Sequence, residues 1–342
     1  MVDAKKQWKA WVYLAPALVL LLIFTVWPIV NTFRFAFLNG YNSLGVAGDG
    51  TYYFGVDNFV KAISNADFLK CLRNTALFCV LTVPLSCILA LVIAVCLNSI
   101  TRLNKLLQTI YFLPYVTNSI AIGMVFSMMF NIVGLESYDE ANGYPLTGEL
   151  FLQSTYVGAD GVEYVKGYTA DSWGIINNIL VALNFEPVIW VNQYSSLAAN
   201  YAVVVIYIVW NALPFKILIL LGGLQSVNKQ YYDAAKIDGA SRLTVFGRIT
   251  VPLLSPMIAY VVITGFIGGF KEYTSIVGIF DADMGPANDA ARRRLDTIVG
   301  YIYNSLDKAD YGTASAASLI LFVIIFAVTL VNLYVSSKKV HY

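Results

Sequence analysis

The sequence predicts an all-α integral membrane protein with six transmembrane helices and an extracytoplasmic insertion between the third and fourth spans. Three observations predict it. Of 342 residues, 58% are hydrophobic and only 13% charged, with mean hydropathy +0.67, whereas a soluble domain carries about 25% charged residues. Six apolar stretches reach the ~20 residues that cross a bilayer. Lysine and arginine collect in short segments on one side of those stretches, as they do at a cytoplasmic face.

The N-terminus, 1–10, carries Lys5, Lys6 and Lys9 ahead of an apolar run that starts at Trp11. A cleaved signal peptide has an apolar stretch of roughly 7–15 residues and a small-residue cleavage site. This run stays aromatic and apolar to Phe37, so 11–37 reads as a retained first span. An external segment, 38–74, follows, with helical spacing over 57–63 after a turn-like Phe54-Gly55. The second span is 75–97, the cytoplasmic turn 98–105 and the third span 106–130. Within the external segment 131–197, residues 133–170 are rich in Gly, Tyr and acids and read as a hairpin-bearing cap; 171–186 read as a short amphipathic helix on the outer surface. The fourth span is 198–223, followed by a polar cytoplasmic segment, 224–252, and the fifth span, 253–280. An external segment, 281–312, the sixth span, 313–335, and a cytoplasmic tail, 336–342, complete the chain. Pro16, Pro28, Pro84, Pro114, Pro214 and Pro256 lie inside spans or at their edges. Neighbouring helices satisfy the backbone groups a proline frees, so kinks are expected and not breaks.

Orientation rests on eleven basic residues in short segments: Lys5, Lys6, Lys9, Arg102, Lys105, Lys229, Lys236, Arg242, Arg248, Lys338 and Lys339. The opposite side holds the long segment 131–197, with eight acids and one lysine, Lys166. Both termini and 224–252 are therefore expected in the cytoplasm. Arg292-Arg293-Arg294 falls outside, which long loops tolerate. Cys71, Cys79, Cys87 and Cys96 lie within one predicted helix or at its edge, neighbours roughly 12 Å apart at its 1.5 Å rise, beyond disulfide reach. They read as small buried apolar residues. A single histidine, His341, leaves no His-based metal or acid–base site to expect, and no catalytic residue is assigned.

The polar segment between the fourth and fifth spans is the most informative stretch. A polar helix between two spans has no core to join and must lie in solvent at one membrane face. Lys229 to Ala240 favours helix, with Gly239 suited to a C-cap or a close backbone approach. A second short helix, Arg242 to Ile249, leads to Val251-Pro252, where proline can open the next span. Taken by itself, the segment is either an ordinary interfacial loop or a docking element. Its wording, Asp233-Ala234-Ala235, three residues, Gly239, nine residues, then Ile249-Thr250-Val251-Pro252, resembles the EAA motif of ATP-binding-cassette (ABC) importer permeases. Apart from 133–170, the chain resembles sugar-importer permeases of the maltose and glycerol-phosphate type from end to end. Supporting stretches include Leu14-Ala15-Pro16-Ala17, Phe54-Gly55-Val56-Asp57-Asn58-Phe59, Gly285-Pro286-Ala287-Asn288 and Tyr311-Gly312-Thr313-Ala314. Two departures are conservative: Asp233 where Glu is usual, and Val251 where Leu is common.

The resemblance implies a type I ABC importer transmembrane fold and a coupling helix that docks in a groove of an ATPase subunit. On that reading Tyr232, Asp233, Ala234, Ala235, Asp238, Gly239, Ala240, Ile249 and Pro252 carry coupling. The chain has no G-x-x-x-x-G-K-[ST] phosphate loop, so ATP-Mg belongs to the partner and this chain holds no cofactor. The implied partners are a second homologous permease, two ATPase subunits, an extracytoplasmic solute-binding protein and membrane lipid, with no nucleic acid. The acidic outer segment and Arg292–Arg294 are either exposed to that binding protein or simply solvated. The implied setting is a bacterial or archaeal cytoplasmic membrane.

Polar residues deep in spans are functional by default. Asn118 and Ser119 in the third span, Tyr207, Trp210 and Asn211 in the fourth, and Lys271, Glu272 and Tyr273 in the fifth form the expected carbohydrate path. Sugars need hydrogen-bond partners for hydroxyls and aromatic faces for C–H surfaces. Each of these residues can equally bond a neighbouring helix. Lys216 reads as a snorkelling or paired side chain, and Gly265, Gly268 and Gly269 as close-packing positions. An ion-coupled secondary transporter with Lys271–Glu272 as coupling pair is the alternative, weakened by the absence of a visible repeat.

Overall fold

The computed structural model describes residues 7–41, 52–100, 104–142, 149–287 and 291–339. Lys5, Lys6, Arg102, Asn288, His341 and residues 143–148 of the insertion lie outside the described residues.

The first apolar run folds as α1 (Gln7–Leu21) and α2 (Trp27–Ala36), joined by a π turn over Leu22–Val26. The wide turn lies just ahead of Pro28, whose ring would clash with the carbonyl four residues back in a regular helix. A short hairpin, β1 (Leu38–Asn39) against β2 (Tyr53–Phe54), leads to α3 (Asp57–Ser64). The next helix, α4 (Ala66–Ser99), runs unbroken through Pro84 and starts well before the expected 75. Asn65 sets that start by accepting the Asp67 N–H at 2.8 Å. Cys71, Cys79 and Cys87 are buried on α4, but Cys96 is exposed, against expectation.

The third span departs from the expected kink. It is two helices, α5 (Asn104–Val116) and α6 (Ser119–Phe130), bent by 102°. Between them Asn118 takes extended backbone, and its side-chain oxygen accepts the N–H groups of Ile120 at 2.9 Å and Ala121 at 3.3 Å. Satisfying those donors makes Asn118 the cap of a new helix, so the chain restarts instead of bending.

The insertion carries β3 (Ile132–Val133), β4 (Glu136–Asp139), β5 (Phe151–Val157), β6 (Glu163–Thr169) and β7 (Ser172–Trp173). An antiparallel sheet in the order β4-β6-β5 stands on the small β3–β7 pair. Because Ser172 and Trp173 are paired as strand, the following helix, α7 (Ile175–Ala182), is shorter than the expected 171–186.

A single long helix, α8 (Leu197–Ser226), then passes through Pro214. The polar segment holds α9 (Lys229–Ile237) and α10 (Arg242–Val245), then a second π turn over Phe246–Thr250 and α11 (Val251–Leu253). The fifth span proper is α12 (Ser255–Phe270), bent by 68° from the preceding helical run. Pro252 therefore does not open that span; Pro256, in the first turn of α12, does. The expected span to 280 is also interrupted: α12 stops at Phe270, and α13 (Thr274–Phe280) is a separate helix. Lys271 and Glu272 thus lie between helices, not on one. The chain ends with α14 (Ile298–Asp307) and α15 (Tyr311–Lys339). Among the described residues, four helices are long and apolar enough to cross a membrane, or up to six if each bent pair counts as one span.

The chain divides into two compact units. In the unit formed by Met1–Arg73 and Thr297–Val328, Asn58 ties α3 to the end of α2 by donating to the carbonyls of Ala36 and Leu38, both at 3.1 Å. Gly312 leaves room for that amide, since a Cβ there would stand 2.7 Å from Asn58 Nδ2. Asp310 caps α15 by accepting the Thr313 N–H at 3.2 Å and pairs with Lys61 at 2.5 Å.

In the unit formed by Asn74–Asp296 and Thr329–Tyr342, the core gathers Phe78, Phe130, Val203, Tyr207, Ile276 and Leu295. Within it α6 and α13 meet backbone to backbone: a Cβ at Gly123 would stand 2.6 Å from Gly278 Cα. The arginine triplet is mostly structural here. Arg293 pairs with Asp296 at 2.5 Å and Arg294 donates to the Ser195 carbonyl at 3.2 Å, leaving only Arg292 exposed.

Candidate functional site

The polar segment is built by local capping. Asn228 accepts the Gln230 N–H at 3.0 Å to start α9. At its end, Ala240 N–H reaches the Ala235 carbonyl at 3.0 Å and Gly239 N–H the Lys236 carbonyl at 3.1 Å, with Gly239 at φ +70°. These two bonds are a Schellman cap, which a left-handed glycine permits. Ser241 then caps α10 through the Thr244 N–H at 3.2 Å. Ala235 is buried and Tyr232 reaches back to Thr250 at 3.4 Å, while Asp233, Ala234, Asp238 and Gly239 are exposed and Ala240 and Ile249 half-buried. The Asp233–Lys236 pair, 3.9 Å apart and exposed, adds little stability. Three large apolar side chains stand out from this polar surface: Tyr231 at 55% exposure, Leu243 at 83% and Ile237 at 87%. Leu243 escapes a reading by motif because it lies between the motif's defining positions.

A second feature is a cavity of about 320 Å³ bounded by α4, α5, α6, α8, α12 and the 271–275 segment. Its polar lining includes Ser86, Ser119, Asn211, Lys216, Glu272 and Ser275, and its aromatic lining Tyr115 and Phe215, whose rings stack at 5.7 Å. Asn211 Nδ2 donates to Ser119 Oγ at 3.1 Å and to Tyr207 Oη at 3.2 Å, and Tyr207 Oη also donates to the Ser119 carbonyl. That network fixes the restart of the third span against α8. Glu272 Oε1 accepts the backbone N–H groups of Tyr273 at 3.2 Å and Ser275 at 3.1 Å.

Of the expected path residues, Ser119, Asn211 and Glu272 line the cavity, and Tyr207 lies fully buried behind Ser119. Trp210 and Tyr273 pack against the core cluster, Asn118 is spent on its cap, and Lys271 is exposed at the end of α12. Of the two readings for Lys216, snorkelling fails, and the lysine pairs with a hydroxyl on a neighbouring helix. Lys216 is 5% exposed, lines the cavity and donates to Ser86 Oγ at 2.5 Å. A lysine within a long apolar helix was the available signal. The fifth-span glycines divide: Gly265 and Gly269 pack closely, with a Cβ at Gly269 2.9 Å from Cys79 Sγ, whereas Gly268 has nothing within 4 Å.

Residues 83–341 match the family of binding-protein-dependent transport system inner membrane components. The chain belongs to that family. As a permease of this kind it is a membrane protein, a transport component without catalysis of its own, and the ion-coupled alternative falls away. The permease is 24% identical over 334 residues to the lactose transport system permease protein LacF of Rhizobium radiobacter, covering 96% of this chain and 94% of the relative. It is 26% identical over 335 residues to the arabinooligosaccharides transport system permease protein AraP of Bacillus subtilis strain 168, covering 97% and 90%. In fold it resembles a chain of a bacterial alginate ABC transporter crystallised with alginate pentasaccharide-bound periplasmic protein. The TM-score is 0.71 at 20% identity, over 99% of this chain and 98% of that one. The permease therefore has the type I ABC importer transmembrane fold.

Proposed function

We propose that this permease moves a carbohydrate, an oligosaccharide or related polyol, across a bacterial or archaeal cytoplasmic membrane by alternating access, driven by ATP hydrolysis on partner subunits. The observation that carries the reading is the exposed apolar set Tyr231, Ile237 and Leu243 on an otherwise polar helix pair. Exposed apolar side chains on a polar surface suit a protein contact, and here Tyr231 and Leu243 flank the Asp233–Gly239 motif while Ile237 lies within it. α9 is the coupling helix, docked on one of two ATPase subunits that hold ATP-Mg. Tyr232, Asp233, Ala234, Ala235, Asp238, Gly239, Ala240, Ile249 and Pro252 shape that contact. A second homologous permease completes the translocation path, and a solute-binding protein delivers the sugar from outside. The α9 side and both termini face the cytoplasm; the strand-bearing insertion faces outward.

The names of LacF and AraP support carbohydrate as the cargo class. The cavity supports it chemically, offering hydroxyl, amide and carboxylate partners beside the Tyr115–Phe215 aromatic wall. Ser119, Asn211 and Glu272 contact the sugar, and Tyr207 positions Ser119. Asn118, Trp210, Lys271 and Tyr273 are the further path residues, reached as the cavity changes shape. Reconstitution with the ATPases and binding protein tests the whole reading. Sugar uptake abolished by vanadate and insensitive to an uncoupler is the expected result; the opposite pattern would sink it.

A further inference from the structure

Lys216 is an expensive residue to place where it lies. It is 5% exposed, and its partners are the Ser86 hydroxyl at 2.5 Å and the Cys87 sulfur at 3.5 Å. Among the described residues it makes no ion pair. The Ser86 hydroxyl already donates to the Thr82 carbonyl at 2.5 Å, so towards Lys216 it acts as an acceptor only. An ammonium has three donors, and a cysteine sulfur is a weak acceptor. Donor capacity is therefore left over on a cation that lines the cavity. Gly265 leaves space for the ammonium, since a Cβ there would stand 3.2 Å from Nζ. A buried charge without a counter-ion is costly unless something supplies one.

Glu272 lines the same cavity, but its Oε1 is engaged by the backbone N–H groups of Tyr273 and Ser275 that open α13. The two charges thus differ in what they have left to offer: one carboxylate oxygen of Glu272 is already held by the α13 N–H groups, whereas the ammonium keeps donor capacity for the cavity's contents. The carboxylate also limits what those contents can be. One cation matches one negative charge, and Glu272 opposes a second.

From this geometry we propose that the cavity selects a carbohydrate unit bearing a single carboxylate, a uronate, and that Lys216 is the specificity-determining residue that pairs with it. A phosphorylated sugar, with a charge of about −1.5 to −2 at neutral pH, fits less well beside Glu272. The inference rests on the carbohydrate reading and deepens it.

The test is uptake by the full assembly in proteoliposomes, supplied with three labelled disaccharides: one neutral, its C6-oxidised uronate, and its C6 phosphate. The unaltered assembly is expected to take up the uronate fastest. In Lys216→Met the ratio of uronate to neutral uptake should fall about thirtyfold or more, as expected when one partner of a buried charge pair is removed. Lys216→Arg should restore part of it. The ratio is internal to each preparation, so a variant that merely folds poorly lowers both rates and leaves it unchanged. An unchanged ratio in Lys216→Met, or preference of the unaltered assembly for the neutral sugar or the phosphate, would overturn the proposal. Uptake of none of the three would overturn the carbohydrate reading itself, and this inference with it.

Discussion

At the scale of single residues, Gly239 shows how little space has to do with its role. Nothing lies within 4 Å of where its Cβ would be, yet its φ is +70°. A β-branched residue there meets its own backbone, at roughly 1–2 kcal/mol, whereas asparagine tolerates the left-handed region. Gly239→Val should therefore abolish sugar-stimulated ATPase activity while membrane insertion persists, and Gly239→Asn should keep most of it. Equal activity in the two variants would remove the cap from the coupling mechanism. Asp310 offers a pH test. Burial pushes its carboxyl up, but the hydrogen bonds from Lys61 and the Thr313 N–H outweigh this and hold it below the usual range. Its contribution to stability is complete above the ordinary carboxylate pKa and is lost as pH falls through the lowered folded value. The melting temperature of the purified permease should hold down to about pH 5 and fall below it, and Lys61→Met should flatten that fall. An identical acid limb in both proteins would show that the pair is energetically silent. The glycine was legible in the sequence because its motif is local. The Lys61–Asp310 pair was not, because its members are 249 positions apart.

At the scale of elements, the two π turns and the two bends have different causes. Each π turn ends just before a proline, Pro28 or Pro252, and gives the helix the extra width its ring requires. The 102° bend instead follows from a polar cap, Asn118. Counting prolines located the strained regions but misjudged the outcome, because a side chain able to satisfy new N–H donors can end one helix and start another. Asn118→Ala should destabilise the permease by about 0.5–2 kcal/mol, seen as a lower melting temperature, and Asn118→Asp should not. A second element-level test concerns the α6–α13 contact. Gly123→Leu forces apart backbones already touching at Gly278, and overpacking of this kind costs typically 1–3 kcal/mol. An unchanged melting temperature would mean that the two helices are free to separate.

At the scale of the whole molecule, the proposed orientation is open to direct labelling. Val162 on the insertion and Ile237 on α9 are both exposed. With Cys96 replaced by serine, a membrane-impermeant maleimide added to intact cells should label Val162→Cys and spare Ile237→Cys; the reverse would invert the topology. Membrane class, the long apolar segments and the polar helix between two of them were readable from the chain alone. Each depends on local quantities, namely hydropathy, helix propensity and the spacing of a short motif. The cavity was not readable, because which face a helix turns inward is decided by its neighbours. Ser86 and Lys216 stand 130 positions apart, and only tertiary packing, with Gly265 of α12 leaving room for the ammonium, brings hydroxyl and ammonium together. Glu272 reached the cavity because α12 ends at Phe270, while its neighbour Lys271 was left exposed. Tertiary packing thus separated two adjacent charges that the sequence could only treat alike.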